Sequence, residues 1–170
     1  VAKGFGGGLP LGAIITTDKL AEIFKQGMHG TTFGGNSVAC ACGLVVVEEL
    51  QNGLLNHVTK VGKYMHEQLE KLKAEFPDKI LEVRGIGLMQ GLLLSSDAWN
   101  LVLALLEQKI VSNAASGTVL RLVPPLVVTE AEVDEFDFLL LDELHHILRR
   151  GHEDSPNRLI RARKWLPWAN

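Results

Sequence analysis

Lys3 stands directly before a glycine-rich stretch, Gly4-Phe5-Gly6-Gly7-Gly8, and its amine is the first group in the chain that could act as a nucleophile. The order excludes a phosphate-binding P-loop, in which the lysine follows the glycines and is itself followed by Ser or Thr. Two readings remain for Lys3: an exposed charge, or an amine held beside a planar ligand that the glycines allow to approach. Partial desolvation weakens a lysine's hold on its proton, and the neutral amine can then condense with an aldehyde. A second glycine-rich turn, His29-Gly30-Thr31-Thr32-Phe33-Gly34-Gly35-Asn36, leads into an apolar run. Hydroxyls beside free backbone N–H groups at a helix start suit a phosphate monoester. A turn whose threonines only cap backbone groups is the other reading. Arg121, within Val119–Val123, reads by itself as a strand residue at the surface. None of the six histidines has the spacing of a zinc site, so no metal is predicted.

The elements that must position these groups are read from periodicity and breakers. Ala13–Thr17 is β-branched and apolar, which predicts a short buried strand after the first loop. Asp18 is expected to cap a short helix through Phe24, and Asn36 to cap a helix over Ser37–Leu50. Gly53 interrupts the pattern. Val58, Val61, Met65, Leu69, Leu72 and Phe76 then recur at steps of three and four, the signature of a long amphipathic helix that Pro77 and Asp78 end. Ile80–Val83 and Leu88–Leu94 are strand-like and joined through Arg84-Gly85-Ile86-Gly87. A helix is expected over Ala98–Gln108, with strands at Ile110–Ser112 and Val119–Val123. Thr129 and Glu132 form a capping box for a last helix with Val133, Phe136, Leu140, Leu144 and Ile147 on its apolar face. The order strand, strand, helix, strand, strand, helix predicts a small α+β unit with its helices on one face of a sheet.

AKGFGGGLPLGA followed by HGTTFGGNSVACA resembles the class III pyridoxal-phosphate aminotransferases. VRGIGLMQGLLL resembles the start of that family's small domain, and VSNAASGTVLRLVPPLVVTEAEVDEF its final strand and helix. The resemblance runs over about residues 1–148. It implies an α/β fold, the C-terminal portion of a fold-type-I pyridoxal-phosphate-dependent transferase. Residues 1–54 would belong to the large cofactor-binding domain, 55–79 to a linking helix, 80–148 to the small α+β domain, and 149–170 to an irregular basic tail. The resemblance makes Lys3 the catalytic lysine that holds pyridoxal 5'-phosphate and shuttles a proton. It makes Thr32 a phosphate contact to the cofactor of the opposite subunit, hence a homodimer, Thr31 its neighbour near the substrate, and Arg121 an arginine near the substrate's acidic end. Arg84 also matches a family position, where a structural, carbonyl-binding role is expected. The HGTTFGGN turn and the last stretch look most like the acetylornithine-using branch. That implies amino transfer from N-acetylornithine or a similar ω-amino donor to 2-oxoglutarate, in arginine or ornithine metabolism.

Composition limits the alternatives. Hydrophobic residues make up 46% of the 170, which excludes a disordered chain. A net charge of -3 argues against a nucleic-acid partner. No stretch approaches the ~20 uninterrupted apolar residues of a membrane helix. Residues 149–170 hold six basic and two acidic side chains (+4), which leaves -7 for residues 1–148. Cys40 and Cys42, two apart on an expected helix, are read as small buried residues in a reducing compartment, cytoplasm or mitochondrial matrix. The family's acidic partner of the ring nitrogen would precede Lys3, so the chain is expected to be the C-terminal part of an aminotransferase, inactive by itself. The alternative is a non-catalytic interaction module built on the small domain.

Overall fold

The computed structural model describes residues 1–150, with side chains described through His145. Residues 151–170, which hold four of the six basic side chains of the expected basic tail, and the side chain of Ile147 therefore fall outside the described residues. The chain divides into two compact units, Val1–Leu55 and Asn56 onward.

The first unit contains a 3-10 turn, Lys3–Gly6, and two helices, α1 (Asp18–Ala21) and α2 (Ser37–Glu49). Asn36 caps α2 as expected, its Oδ1 accepting the Ala39 N–H at 3.0 Å. Ala13–Thr17 is not a strand. It runs as irregular backbone with Ile14 80% and Ile15 82% exposed, because no neighbouring strand among the described residues pairs with it. The helix read from Asp18 to Phe24 is shorter, and its N-cap is Thr17, without a side-chain cap bond. The cysteines differ from expectation as well. Cys40 is exposed and Cys42 half-buried, both free, because the face of α2 that is buried carries Ala39 and Gly43.

At the end of α2 a π-turn over Leu50–Leu54 contains Gly53 at φ +121°, where the axis kinks into α3 (Leu55–Glu75). The run Ser37–Glu75 includes an 18-residue window of mean hydropathy 1.4, apolar enough by length and composition to cross a membrane. The kink divides it, and the 13 residues of α2 reach only about 20 Å, short of the ~30 Å hydrocarbon core.

The second unit is a four-stranded antiparallel sheet in the order β1-β2-β4-β3, with β1 Ile80–Ile86, β2 Met89–Leu94, β3 Asn113–Ala115 and β4 Val119–Leu122. Three helices share one core with it: α3, α4 (Trp99–Glu107) and α5 (Glu130–Arg150). Val61, Met65, Leu69 and Leu72 of α3 are buried as their spacing predicts, against Ile80, Leu92, Leu120 and Leu140. Two boundaries moved. Arg84-Gly85-Ile86 belongs to β1 rather than to a connection, and the hairpin turns on Gly87 and Leu88 alone. A positive φ at Gly87 and not at Leu88 is the signature of a type II′ turn. The strand expected at Ile110–Ser112 begins at Asn113, because Lys109 ends α4 in the left-handed region and the chain has only then turned toward β4.

Polar contacts fasten the helices. Gln90, 3% exposed, donates to the Gly87 carbonyl at 2.7 Å while its Oε1 lies 3.0 Å from His66 Nδ1 on α3. Tyr64 donates to Asp134 at 2.5 Å, and an imidazole nitrogen of His57 lies 2.9 Å from the Val128 carbonyl oxygen. The Thr129–Glu132 capping box forms in full: the Thr129 N–H and hydroxyl each donate to Glu132 at 2.8 Å, and the Glu132 N–H donates back at 3.3 Å. These bonds hold the Glu132 carboxyl below its ordinary range.

A Cβ on Gly62 would lie 2.4 Å from the carbonyl carbon of Gly87, so α3 touches the hairpin tip at a distance only glycine permits. Gly62→Ala should therefore destabilise by about 1–3 kcal/mol despite alanine's better helix propensity, whereas Gly30→Ala, with open space and no positive φ, should be near neutral in urea unfolding. Asp137, whose buried Oδ1 has no hydrogen-bond partner, is pushed up to about 6 by burial and then by Asp134. A carboxyl raised above its unfolded value binds its proton more tightly when folded, so this group's contribution falls as pH climbs from about 4 to 6. Asp137→Asn should raise the urea midpoint at pH 7.5 relative to wild type by more than it does at pH 4.

Candidate functional site

Lys3 opens the 3-10 turn at φ +59°, a conformation uncommon for a residue with a Cβ. The loop is tied at its ends: the Val1 amino group donates to the Ala13 carbonyl at 2.7 Å, and the Ala13 N–H donates to the Val1 carbonyl at 2.9 Å. Lys3 itself is exposed, without the apolar enclosure that would desolvate its amine.

Thr31 and Thr32 lie in the same unit, immediately before α2, and both are exposed. Among the described residues neither hydroxyl has a hydrogen-bond partner, while the next turn is ordered by the Asn36 cap and by the Asn36 N–H donating to Phe33 at 3.3 Å. The reading in which these threonines merely cap backbone is thus not what the structure contains. Their hydroxyls stand free beside a helix N-terminus.

Arg121 belongs to the second unit, in β4, between Leu120 and Leu122 of the core. It is half-buried, and its Nε is buried with no hydrogen-bond partner among the described residues. A buried donor left unpaired costs about 1–3 kcal/mol. Arg84, expected to bind a carbonyl, instead faces the Glu82 carboxylate at 3.8 Å. The second unit also has a groove of about 650 Å³ lined by Ile110, Leu122, Pro124, Pro125, Val133 and Phe136. It includes none of the four residues singled out from the sequence. Among the described residues no cluster of His, Cys, Asp and Glu could hold a metal ion.

The model of the class-III aminotransferase family matches residues 1–148. The chain belongs to that family. It is 46% identical over 149 residues to acetylornithine aminotransferase of Caldanaerobacter subterraneus subsp. tengcongensis, covering 86% of this chain and 37% of that protein. It is 43% identical to the acetylornithine aminotransferase of Aquifex aeolicus, over 79% of this chain and 34% of that protein. Among solved structures, acetylornithine aminotransferase from Elizabethkingia anophelis superposes with a TM-score of 0.75 at 34% identity, over 83% of this chain and 37% of that one. Ornithine aminotransferase from Toxoplasma gondii gives 0.80 at 27%, over 88% and 37%. The chain thus spans little more than a third of the length of the relatives it matches, and it carries the family's α/β architecture with a four-stranded antiparallel sheet.

Asn36 holds the turn that presents Thr31 and Thr32. Asn36→Ala should cost about 1 kcal/mol through the lost cap. Asn36→Asp keeps the cap and should be close to wild type in denaturant titration, while the added negative charge weakens binding of inorganic phosphate, followed by calorimetry.

Proposed function

We propose that the protein containing this chain is a pyridoxal-phosphate-dependent transaminase. It would transfer an amino group from N-acetylornithine or a similar ω-amino donor to 2-oxoglutarate, through two half-reactions at one cofactor. The observation that carries this reading is the family match over residues 1–148 with Lys3 presented, exposed, at the head of its glycine loop. The donor set agrees with the cofactor: an accessible amine for an aldehyde, two unpaired hydroxyls at a helix start for a phosphate, and an unpaired buried guanidinium nitrogen for a substrate carboxylate. Acetylornithine is favoured because the relatives with 41–46% identity carry that name.

When bound, pyridoxal phosphate supplies an aldehyde for amines and a ring that accepts the electron pair released at a substrate's Cα. Lys3 Nζ is the anchoring group. The same nitrogen, when not engaged with the cofactor, would take the proton from the substrate Cα and give it up again later in the half-reaction. Thr32 holds phosphate in the opposite subunit's site, Thr31 lies near the substrate there, and Arg121 orients a substrate carboxylate. Residues 1–54 would serve as part of the cofactor domain, 55–79 as the helix joining it to the small domain, and 80–148 as that small domain. Because the chain covers about 37% of the length of its relatives, the 170 residues alone are expected to give no turnover. Free, exposed Cys40 fits a reducing compartment, cytoplasm or mitochondrial matrix.

In the full-length enzyme, borohydride should fix the cofactor on Lys3, and Lys3→Ala should lower kcat by roughly 10²–10⁴-fold. Full activity in that variant, or a colourless protein with Lys3 unmodified, would overturn the reading and favour an interaction module. Subunit mixing tests the dimer. Lys3→Ala and Thr32→Val homodimers should each be impaired, yet their heterodimers should regain activity, because one of the two sites then has Lys3 and Thr32 both intact. No recovery on mixing would place Thr32 in its own subunit's site.

A further inference from the structure

The groove beside α5 has no part in the transaminase reading. Its lining runs from buried Leu122 and Val133 out to Val111 and Val123, which are 87% and 59% exposed. Covering apolar surface of that kind releases it from water, so the walls favour an occupant. A volume of about 650 Å³ falls within the ~300–1,000 Å³ of pockets that enclose a small ligand, and so suits a few side chains of a single segment.

The chain itself supplies such a segment. The family match stops at residue 148, and twenty further residues follow Arg150, the last residue of α5. The first half of α5, Glu132 through Leu139, forms one wall of the groove. From Arg150 back to Phe136 is 14 residues of helix, about 21 Å. About seven extended residues cover that distance at ~3.3 Å each, and residues 151–157, Gly-His-Glu-Asp-Ser-Pro-Asn, are rich in turn-forming types. Residues 158–170 then have the length to lie along the groove.

Their composition matches its walls. Leu159, Ile160, Trp165, Leu166 and Trp168 are apolar, and every charged residue of the stretch is basic: Arg158, Arg161, Arg163 and Lys164. Before Arg149, α5 carries seven acidic side chains and no Lys or Arg. Two of the seven, Glu132 and Glu135, line the groove and are exposed, against one lining cation, Lys109. The tether adds to this. A segment joined to its site by a short linker meets it at an effective concentration of about 1 mM, so even a weak dock is populated.

We propose that the groove is the docking site of residues 158–170 of the same chain, with Trp165 and Trp168 as apolar anchors and the basic residues beside Glu132 and Glu135. The docked segment shields Val111 and Val123 and holds the chain leaving β4 against α5. The proposal goes beyond the transaminase reading and does not depend on it.

The test compares the full-length protein, intact and ended after Arg150, using a fluorescently labelled peptide of residues 155–170. By anisotropy the peptide should bind the shortened protein at one site, and the intact protein at least about 10-fold more weakly, because the tethered copy competes. Trp165→Ala with Trp168→Ala in the peptide should weaken binding by roughly 10-fold or more. Val123→Lys in the shortened protein should do the same, with Val111→Lys as an independent second variant. Both positions are exposed, so urea unfolding of these variants should match the unsubstituted protein, which separates lost docking from lost folding. Hydrogen exchange at Val111 and Val123 should be slower in the intact protein than in the shortened one. Equal binding to both proteins, no binding to the shortened one, or no effect of either lysine substitution overturns the proposal. Two other occupants would overturn it with signatures of their own. Exchange equally slow in both proteins points to another segment of the full-length protein, and self-association of the shortened protein that Val123→Lys abolishes points to a second copy.

Discussion

The pairing of β2 with β4 is the constraint on which the second unit depends. Leu92 faces Leu120 across it, and both are completely buried, which obliges Gly91 to face Arg121 on the opposite side. A slip of one residue would turn Arg121 into the core and bring Leu120 out, so the same contact that builds the core also aims the guanidinium. The hairpin before β2 locks this register. Gly87 allows a two-residue turn, Gln90 bonds back to its carbonyl, and Gly62 lets α3 press on the tip. Helix, turn and strand thus agree on a single alignment.

Much of this was legible in the sequence. The 3-4 spacing of Val61, Met65, Leu69 and Leu72 reports α3 without help from tertiary structure, since one helical face is enough to bury it. The Thr129–Glu132 box and the Asn36 cap are equally local, each needing only residues three apart. Elements that depend on a distant partner were harder. Ala13–Thr17 has strand chemistry, but a strand exists only beside another, and the described residues provide none. Ile110–Ser112 looks as apolar as a strand should, yet the pairing starts at Asn113, a position set by how α4 ends. Cys40 was misjudged because composition alone does not say which face of α2 is covered.

The site shows the same division. Lys3, Thr31 and Thr32 are recognisable because their motifs are contiguous, and the structure finds the two threonines with free hydroxyls. Arg121 was visible only through the run around it. What no motif announced is the row it shares with Arg84, both paired with Gly91, because register relates residues 37 positions apart, and periodicity has no access to that. Glu82 as the partner of Arg84 emerges only once β1 is known to continue through Ile86 and to place both residues on one face.

Departures from local rules separate the functional positions from the architectural ones. Among the described residues three with a Cβ have positive φ: Lys3, Lys109 and Ser116. Lys109 terminates α4, where the Ile110 N–H returns to the Leu105 carbonyl and the Lys109 N–H to that of Leu106, an arrangement that requires a left-handed residue. Ser116 turns the short β3–β4 connection together with Gly117. Both are explained by chain direction alone. Lys3 has glycines on its C-terminal side that could have taken the left-handed position more cheaply, so what a lysine adds there is its amine. The unpaired Nε of Arg121 is a cost of the same kind, incurred in a strand where an apolar or neutral side chain would have served the fold. Among the described residues, buried polar atoms without a partner occur at Ser112 and Asp137 as well, so the unpaired Nε singles out Arg121 only together with its place in the family's motif.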